Sequence, residues 1–228
     1  MAKNRQTKEP QYQFCVDYAR ERGLESLGLM TSQTWHDDPK RLVFTLSRYK
    51  FVAKMLEGAG RVLEVGCGDG FGTRIVRQAA GAVTAVDFDP VFIEDATSRA
   101  CDKWPVDFRV HDMLAGPTQD VHDAAYSLDV LEHIAPAEED RFLGNVARSL
   151  TPQATCIIGM PSLESQPHAS PQSKAGHVNC KSMPDLKAVM ERHFSSVCMF
   201  AMNDEVVHTG FHKMANYLLA IGFGPKRR

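Results

Sequence analysis

Two rhythms of apolar residues alternate along this chain. Short, nearly continuous apolar runs cover 62–66, 82–86, 106–110, 123–128 and 154–160. Strands buried on both faces of a parallel sheet have this character. Between them lie longer stretches with apolar residues every third or fourth position, which read as helices over 71–80, 90–101 and 137–150. Such alternation predicts an α/β domain with a parallel sheet and helices on both faces. Ahead of the first strand, Leu42, Leu46, Tyr49, Val52, Ala53 and Leu56 form one stripe of a helix over 39–57. Asp38 is placed to cap it, Pro39 suits its first position, and Gly58 and Gly60 end it. Upstream, Tyr12, Cys15, Val16 and Ala19 predict a short helix over 12–22. Residues 23–38 read as a polar loop lying on the domain surface, and 1–10 as a tail.

After the fifth strand the rhythm stops. Residues 161–180 are rich in Pro, Ser, Gln and His and carry no period, so they read as a lid or substrate loop. Ser182 then caps a helix ending near 193. Strands over 194–202 and 215–223 follow, separated by a polar turn at 203–213. With no helix between them, these last two strands should pair antiparallel. The expectation is a Rossmann-like, doubly wound sheet of seven strands, mostly parallel with a C-terminal antiparallel hairpin.

Length and charge narrow the class. The 228 residues suit one α/β domain, and the formal net charge of −2 argues against a general nucleic-acid binder. No apolar run approaches the roughly 20 residues of a membrane span. The polar N-terminus lacks the apolar stretch of a secretory signal, and the six cysteines form no CxxC pair. Both features predict a cytoplasmic protein with reduced thiols.

The candidate chemistry starts where the first strand meets a helix. Glu64, Gly66, Gly68 and Gly70 stand in the spacing E-x-G-x-G-x-G, with Cys67 between the first two glycines. Alternating glycines permit a tight turn and let a ligand approach the backbone amides. A dinucleotide fingerprint would need G-x-G-x-x-G, and Phe71 occupies the place of its third glycine. The loop instead resembles the first motif of the class I S-adenosylmethionine-dependent methyltransferases. The fourth-strand run Asp129-Val130-Leu131-Glu132-His133-Ile134 resembles the post-strand motif of their small-molecule branch. The C-terminal antiparallel hairpin agrees with that fold. The resemblance covers roughly 40–223, with 1–38 as an N-terminal tail and cap segment and 39–228 as the methyltransferase domain.

The resemblance implies S-adenosylmethionine as cofactor and S-adenosylhomocysteine as product. Asp87, ending the second strand, would hold the ribose hydroxyls, and Phe88 would lie against the adenine. Asp112, with the backbone of Met113, would meet the adenine edge. Glu64 would orient the glycine loop, and Arg48 would pair with the cofactor carboxylate. Asp129 would sit at the mouth of the site, near the methionine end. His133 and His177 are the candidate bases for an acceptor hydroxyl, since imidazole titrates near neutrality. His168, His177, Cys180 and His193 lack the paired spacing of a structural zinc site, so no metal is expected. The implied partner is a small-molecule acceptor such as a sugar, sugar nucleotide or natural product, with no nucleic acid. The chain is compatible with a homodimer. A catalytically idle, cofactor-binding scaffold and a nicotinamide-dependent oxidoreductase are the alternative classes.

Overall fold

A computed structural model describes residues 6–226. The tail expected over 1–10 therefore falls partly outside the described residues. Eight strands form one sheet in the order β3-β2-β1-β4-β5-β8-β6-β7. The first five are β1 (Arg61–Val65), β2 (Ala82–Asp87), β3 (Asp107–Val110), β4 (His122–Leu128) and β5 (Leu150–Pro161). They pair parallel. The last three are β6 (Phe194–Asn203), β7 (Val206–His208) and β8 (Tyr217–Pro225), all joined antiparallel. The seven expected strands are present. The eighth, β7, lies in what the sequence presents as a polar turn: Val206 and Val207 make a short hairpin with Asn203 and Met202 at the sheet edge.

Both faces of the sheet are covered, and the register shows why the strands are apolar throughout. Leu63, Val65 and Ala125 join one core with Phe142, Leu143 and Val146 of α6 (Glu139–Arg148) and Leu186 and Met190 of α8 (Met183–His193). Val62 and Tyr126 join the other, with Val52 of the first long helix, Leu56 just after its end and Val76 of the helix after β1. Each fully buried Leu, Phe or Met side chain contributes roughly 1.5–3 kcal/mol.

The N-terminal region departs from expectation. Helix α1 (Gln13–Arg22) is present as predicted, but 23–38 is not simply a loop. It contains α2 (Leu29–Asp37), which packs on α3 (Pro39–Met55). The segment is too polar for a periodic signal; tertiary docking holds it. Asp38 precedes α3 without a side-chain capping bond, and its backbone carbonyl accepts from Arg41 N at 3.0 Å instead. The remaining helices are α4 (Thr73–Ala79), α5 (Pro90–Ser98) and α7 (Pro171–Gly176). The stretch 161–180, predicted to be without regular structure, holds a 3-10 turn over Leu163–His168 as well as α7. Among the described residues no helix is long and apolar enough to cross a membrane.

The topology places the site. Strand β1 has β2 on one side and β4 on the other, so the strand order reverses between them. Open α/β sheets bind ligands in the crevice this creates at the carboxyl ends of the strands. Gly66 follows β1 there, and Asp129 follows β4.

Candidate active site

The glycine loop is a backbone structure whose Gly66, Cys67, Gly68 and Gly70 amides are all hydrogen-bonded. Gly66 N and Cys67 N both donate to Val86 O, at 2.8 and 3.1 Å, and Gly70 N donates to Cys67 O at 2.9 Å. Gly66 has φ +77°, and a Cβ there would lie 2.2 Å from Val130 Cγ2. Gly70 has φ +66°, and a Cβ would lie 2.6 Å from Phe108 Cε1. Both conformation and space therefore require glycine. Asp87 is buried at the end of β2, where one oxygen accepts from Gly68 N at 2.9 Å and the other from Asp89 N at 3.0 Å. Its carboxylate holds the loop in shape.

Glu64 lies behind the loop and ties three elements together. It accepts from Tyr49 Oη of α3 at 3.0 Å and from Thr73 Oγ1, at the start of α4, at 2.6 Å. Burial pushes its carboxyl up to about 7, against the hydroxyl hydrogen bonds that favour ionisation. Burial also pushes the Cys67 thiol well up, so it remains protonated and is no nucleophile.

In front of the loop is a cavity of about 300 Å³. Gly66, Cys67 and Gly68 form its floor, and Met30, Thr31 and Thr34 of α2 close one wall. Asp69 anchors that wall: its carboxylate accepts from Thr31 N at 2.7 Å and from Thr31 Oγ1 at 3.2 Å. The other end of the cavity reaches Arg48, Asp129, Glu132, His133 and His177.

That far end is built from side chains. Arg48 Nη1 donates to both oxygens of Asp129, at 3.0 and 2.8 Å, and its guanidinium lies 3.8 Å above the Tyr217 ring. Asp129 has φ +57°, a conformation uncommon outside glycine though Asp tolerates it better than most residues. It directs the carboxylate across the mouth while Asp129 N donates to Gly159 O at 2.9 Å. The next turn, Leu131–His133, presents Glu132 and His133. Glu132 is 1% exposed, and among the described residues neither carboxylate oxygen has a hydrogen-bond partner. Burial raises its pKa strongly, and the Asp129 charge adds to this. The His133 and His177 rings stand edge to face, 5.2 Å apart. Burial, then the neighbouring His133 ring, lowers the His177 pKa.

The structure thus brings seven of the predicted residues onto one cavity: Arg48, Gly66, Cys67, Gly68, Asp129, His133 and His177. Glu64, Gly70 and Asp87 support the loop from behind. Phe88 is exposed beyond β2. Asp112 is exposed and accepts from Leu114 N at 2.8 Å, while the Met113 side chain is buried in the core. Any ligand contact from Met113 falls to its backbone. His168 and His193 do not join His177; among the described residues, the ligand-type atoms brought near His177 belong to Glu132 and His133. Sequence reasoning left Glu132, Asp69 and Thr31 without a role. Glu132 had a signal, a carboxylate directly after the apolar pair Val130-Leu131 and beside His133, whereas Thr31 had none.

Comparison with known proteins agrees with this architecture. Residues 62–153 match the methyltransferase-domain family. The ubiquinone biosynthesis O-methyltransferase of Xanthomonas axonopodis pv. citri is 30% identical over 118 residues, 49% of this chain and 49% of that protein. A probable S-adenosylmethionine-dependent methyltransferase of Mycolicibacterium smegmatis is 29% identical over 107 residues, 46% of this chain and 39% of that protein. The chain spans about half the length of the curated relatives it matches. In fold it is similar to the N-methyltransferase NodS of Bradyrhizobium japonicum in complex with S-adenosylhomocysteine. That likeness has a TM-score of 0.63 at 17% identity, over 84% of this chain and 91% of that one. Glycine loop, sheet order and sequence similarity agree: residues 62–153 are similar to the methyltransferase-domain family, and the chain has the fold of the solved methyltransferases it resembles.

Proposed function

We propose that this protein transfers a methyl group from S-adenosylmethionine to a hydroxyl oxygen of a small molecule. The observation that carries the reading is the cavity itself, which runs from the glycine-loop backbone to the paired imidazoles of His133 and His177. The loop fits the cofactor, because Gly66 and Gly68 put bare backbone on the cavity floor and Asp87 accepts from Gly68 N beside it. When bound, S-adenosylmethionine supplies an electrophilic methyl carbon, whose bond pair returns to sulfur as S-adenosylhomocysteine forms. Asp87 holds the ribose, and Phe88 and the Asp112–Met113 backbone border the adenine. Arg48, already charged and placed by Asp129, holds the carboxylate end.

At the acceptor end, Nε2 of His133 or His177 receives the hydroxyl proton. A positioned base contributes roughly a hundredfold to ten-thousandfold, and alignment of acceptor with methyl contributes more, up to about 7–11 kcal/mol. An oxygen acceptor is favoured by the O-methyltransferase relatives and by the polar lining. A hydroxylated small molecule such as a sugar, sugar nucleotide or natural product fits this chemistry.

Calorimetric titration of S-adenosylmethionine and S-adenosylhomocysteine, beside Asp87→Ala, tests the reading. Micromolar binding that Asp87→Ala weakens at least tenfold is the expected result. Absence of binding to well-folded wild-type protein would refute it.

A further inference from the structure

We infer that Glu132, His133 and His177 form a divalent-cation site at the acceptor end of the cavity, suited to a transition ion of the zinc or manganese class. One ligand atom from each lies within 4.8 Å of the other two. The independent observation is Glu132: a carboxylate 1% exposed, lining the cavity, with both oxygens unpartnered. Buried carboxylates are ordinarily paired, hydrogen-bonded or on a metal. Arg48 is the nearby organic cation, and its hydrogen bonds go to Asp129.

The histidines are prepared in the way metal ligands are. His133 Nδ1 lies 2.9 Å from Gly176 O, and His177 Nδ1 lies 2.8 Å from Gln166 Oε1. Gln166 Nε2 donates to Ser162 O at 3.0 Å, which fixes the amide with its oxygen toward His177. Both partners of the rings are carbonyl oxygens, which only accept. Each Nδ1 therefore carries the proton, and each Nε2 presents a lone pair. Hydrogen bonding of one ring nitrogen so that the other is free is the usual support of a metal-bound histidine.

The backbone holds the two sides together. Val178 N and Asn179 N donate to Glu132 O at 2.8 and 3.0 Å, while Gly176 O meets His133. The otherwise aperiodic loop is thereby pinned to the Leu131–His133 turn. One carboxylate and two imidazoles match the ligand set of open catalytic zinc sites, and imidazole favours such ions over magnesium. Ligands at about 2.0–2.1 Å from a tetrahedral ion stand about 3.3 Å apart. Small rotations of the two solvent-accessible imidazoles close that difference.

The site deepens the proposed function, and its role rests on that reading although its existence does not. The open positions face the cavity, where an acceptor hydroxyl oxygen would bind the ion. Coordination lowers the pKa of a bound oxygen acid. The proton passes to water at the cavity mouth, and the coordinated oxygen attacks the methyl carbon. With the ion bound both Nε2 lone pairs are engaged, so water takes the proton that a free imidazole takes in the metal-free protein.

The test is direct binding to the full-length, metal-stripped protein. Zn²⁺ would be titrated in competition with a chromophoric chelator, and Mn²⁺ followed by the electron paramagnetic resonance of the free ion. Wild type, Glu132→Gln and His177→Ala would be compared, with S-adenosylmethionine calorimetry on the same preparations. The expected result is one equivalent bound by wild type and at least tenfold weaker binding by each variant. His177→Ala, on a surface loop, decides the matter if Glu132→Gln fails to fold. No stoichiometric binding of either ion to wild type, or binding that His177→Ala leaves unchanged, would overturn the inference. Failure of S-adenosylmethionine to bind would instead count against the cofactor reading and leave the ion site standing.

Discussion

The two ends of the cavity are built on opposite principles. At the glycine-loop end the shape is made by backbone, and its amides are paired with Val86, Cys67 and Asp87. At the far end the shape is made by side chains from α3, the turn after β4, the 161–180 loop and β8. There, among the described residues, Glu132 Oε1 and Oε2, Arg48 Nε and Tyr217 Oη are buried without hydrogen-bond partners. A satisfied backbone cradle can receive a constant ligand without rearranging. Unsatisfied buried groups cost free energy in the empty protein and recover it when something binds. In the proposed function the first end takes the nucleoside of the cofactor, and the second takes its carboxylate at Arg48 together with the acceptor.

The largest way to break the comparison is Gly66→Ala. A Cβ 2.2 Å from Val130 Cγ2 combined with φ +77° should cost about 2–5 kcal/mol, from overpacking and a left-handed backbone together. Denaturant unfolding measures it, and cofactor binding should fall with it. A loss under about 0.5 kcal/mol would mean that the cradle is soft.

Glu64 sharpens the comparison through pH. Its folded pKa of about 7 lies above the usual 4.5. Below pH 4.5 the carboxyl is protonated folded or unfolded, and pH has no leverage. Between 4.5 and 7 the unfolded chain releases the proton first, so this residue's contribution to stability is lost as pH rises and levels off above 7. The loss is on the order of 3 kcal/mol for this fully buried group. Wild type should show this fall in urea titrations across the window, and Glu64→Gln should flatten it. Equal slopes in the two proteins would contradict the assignment.

At the far end, Asp129→Gly and Asp129→Ala both remove the Arg48 pair, but only Ala must bear φ +57°. Asp129→Ala should be less stable than Asp129→Gly by about 1 kcal/mol. A reversed order would place the strain elsewhere. The smallest effect is expected for Thr31→Val, which removes one hydroxyl contact to Asp69. It should cost about 0.5–1.5 kcal/mol and show as faster amide exchange in α2, with the sheet unchanged.

Legibility followed the same division. The glycine loop, the strand ends at Asp87 and Asp129 and the long periodic helices were readable, because local spacing and periodicity reflect backbone geometry. The helix α2 was not readable. Its docking depends on Thr31 meeting Asp69, 38 residues away in sequence. Strand β7 was hidden for a similar reason, since three residues at a sheet edge carry too short a pattern to announce themselves. Glu132 was visible as a carboxylate beside His133 in the run after β4, but its lack of partners is a property of the folded neighbourhood.

By itself the sequence determined the α/β class, the antiparallel end of the sheet and the position of the tight glycine turn after β1. All of these follow from hydrophobic period and from the conformations that only glycine adopts easily. The tertiary structure alone decided that α2 walls the cavity, that Arg48 is held by Asp129, and that His133 and His177 converge on Glu132. Those contacts join residues dozens of positions apart, and no local pattern encodes which distant side chains a fold will bring within reach.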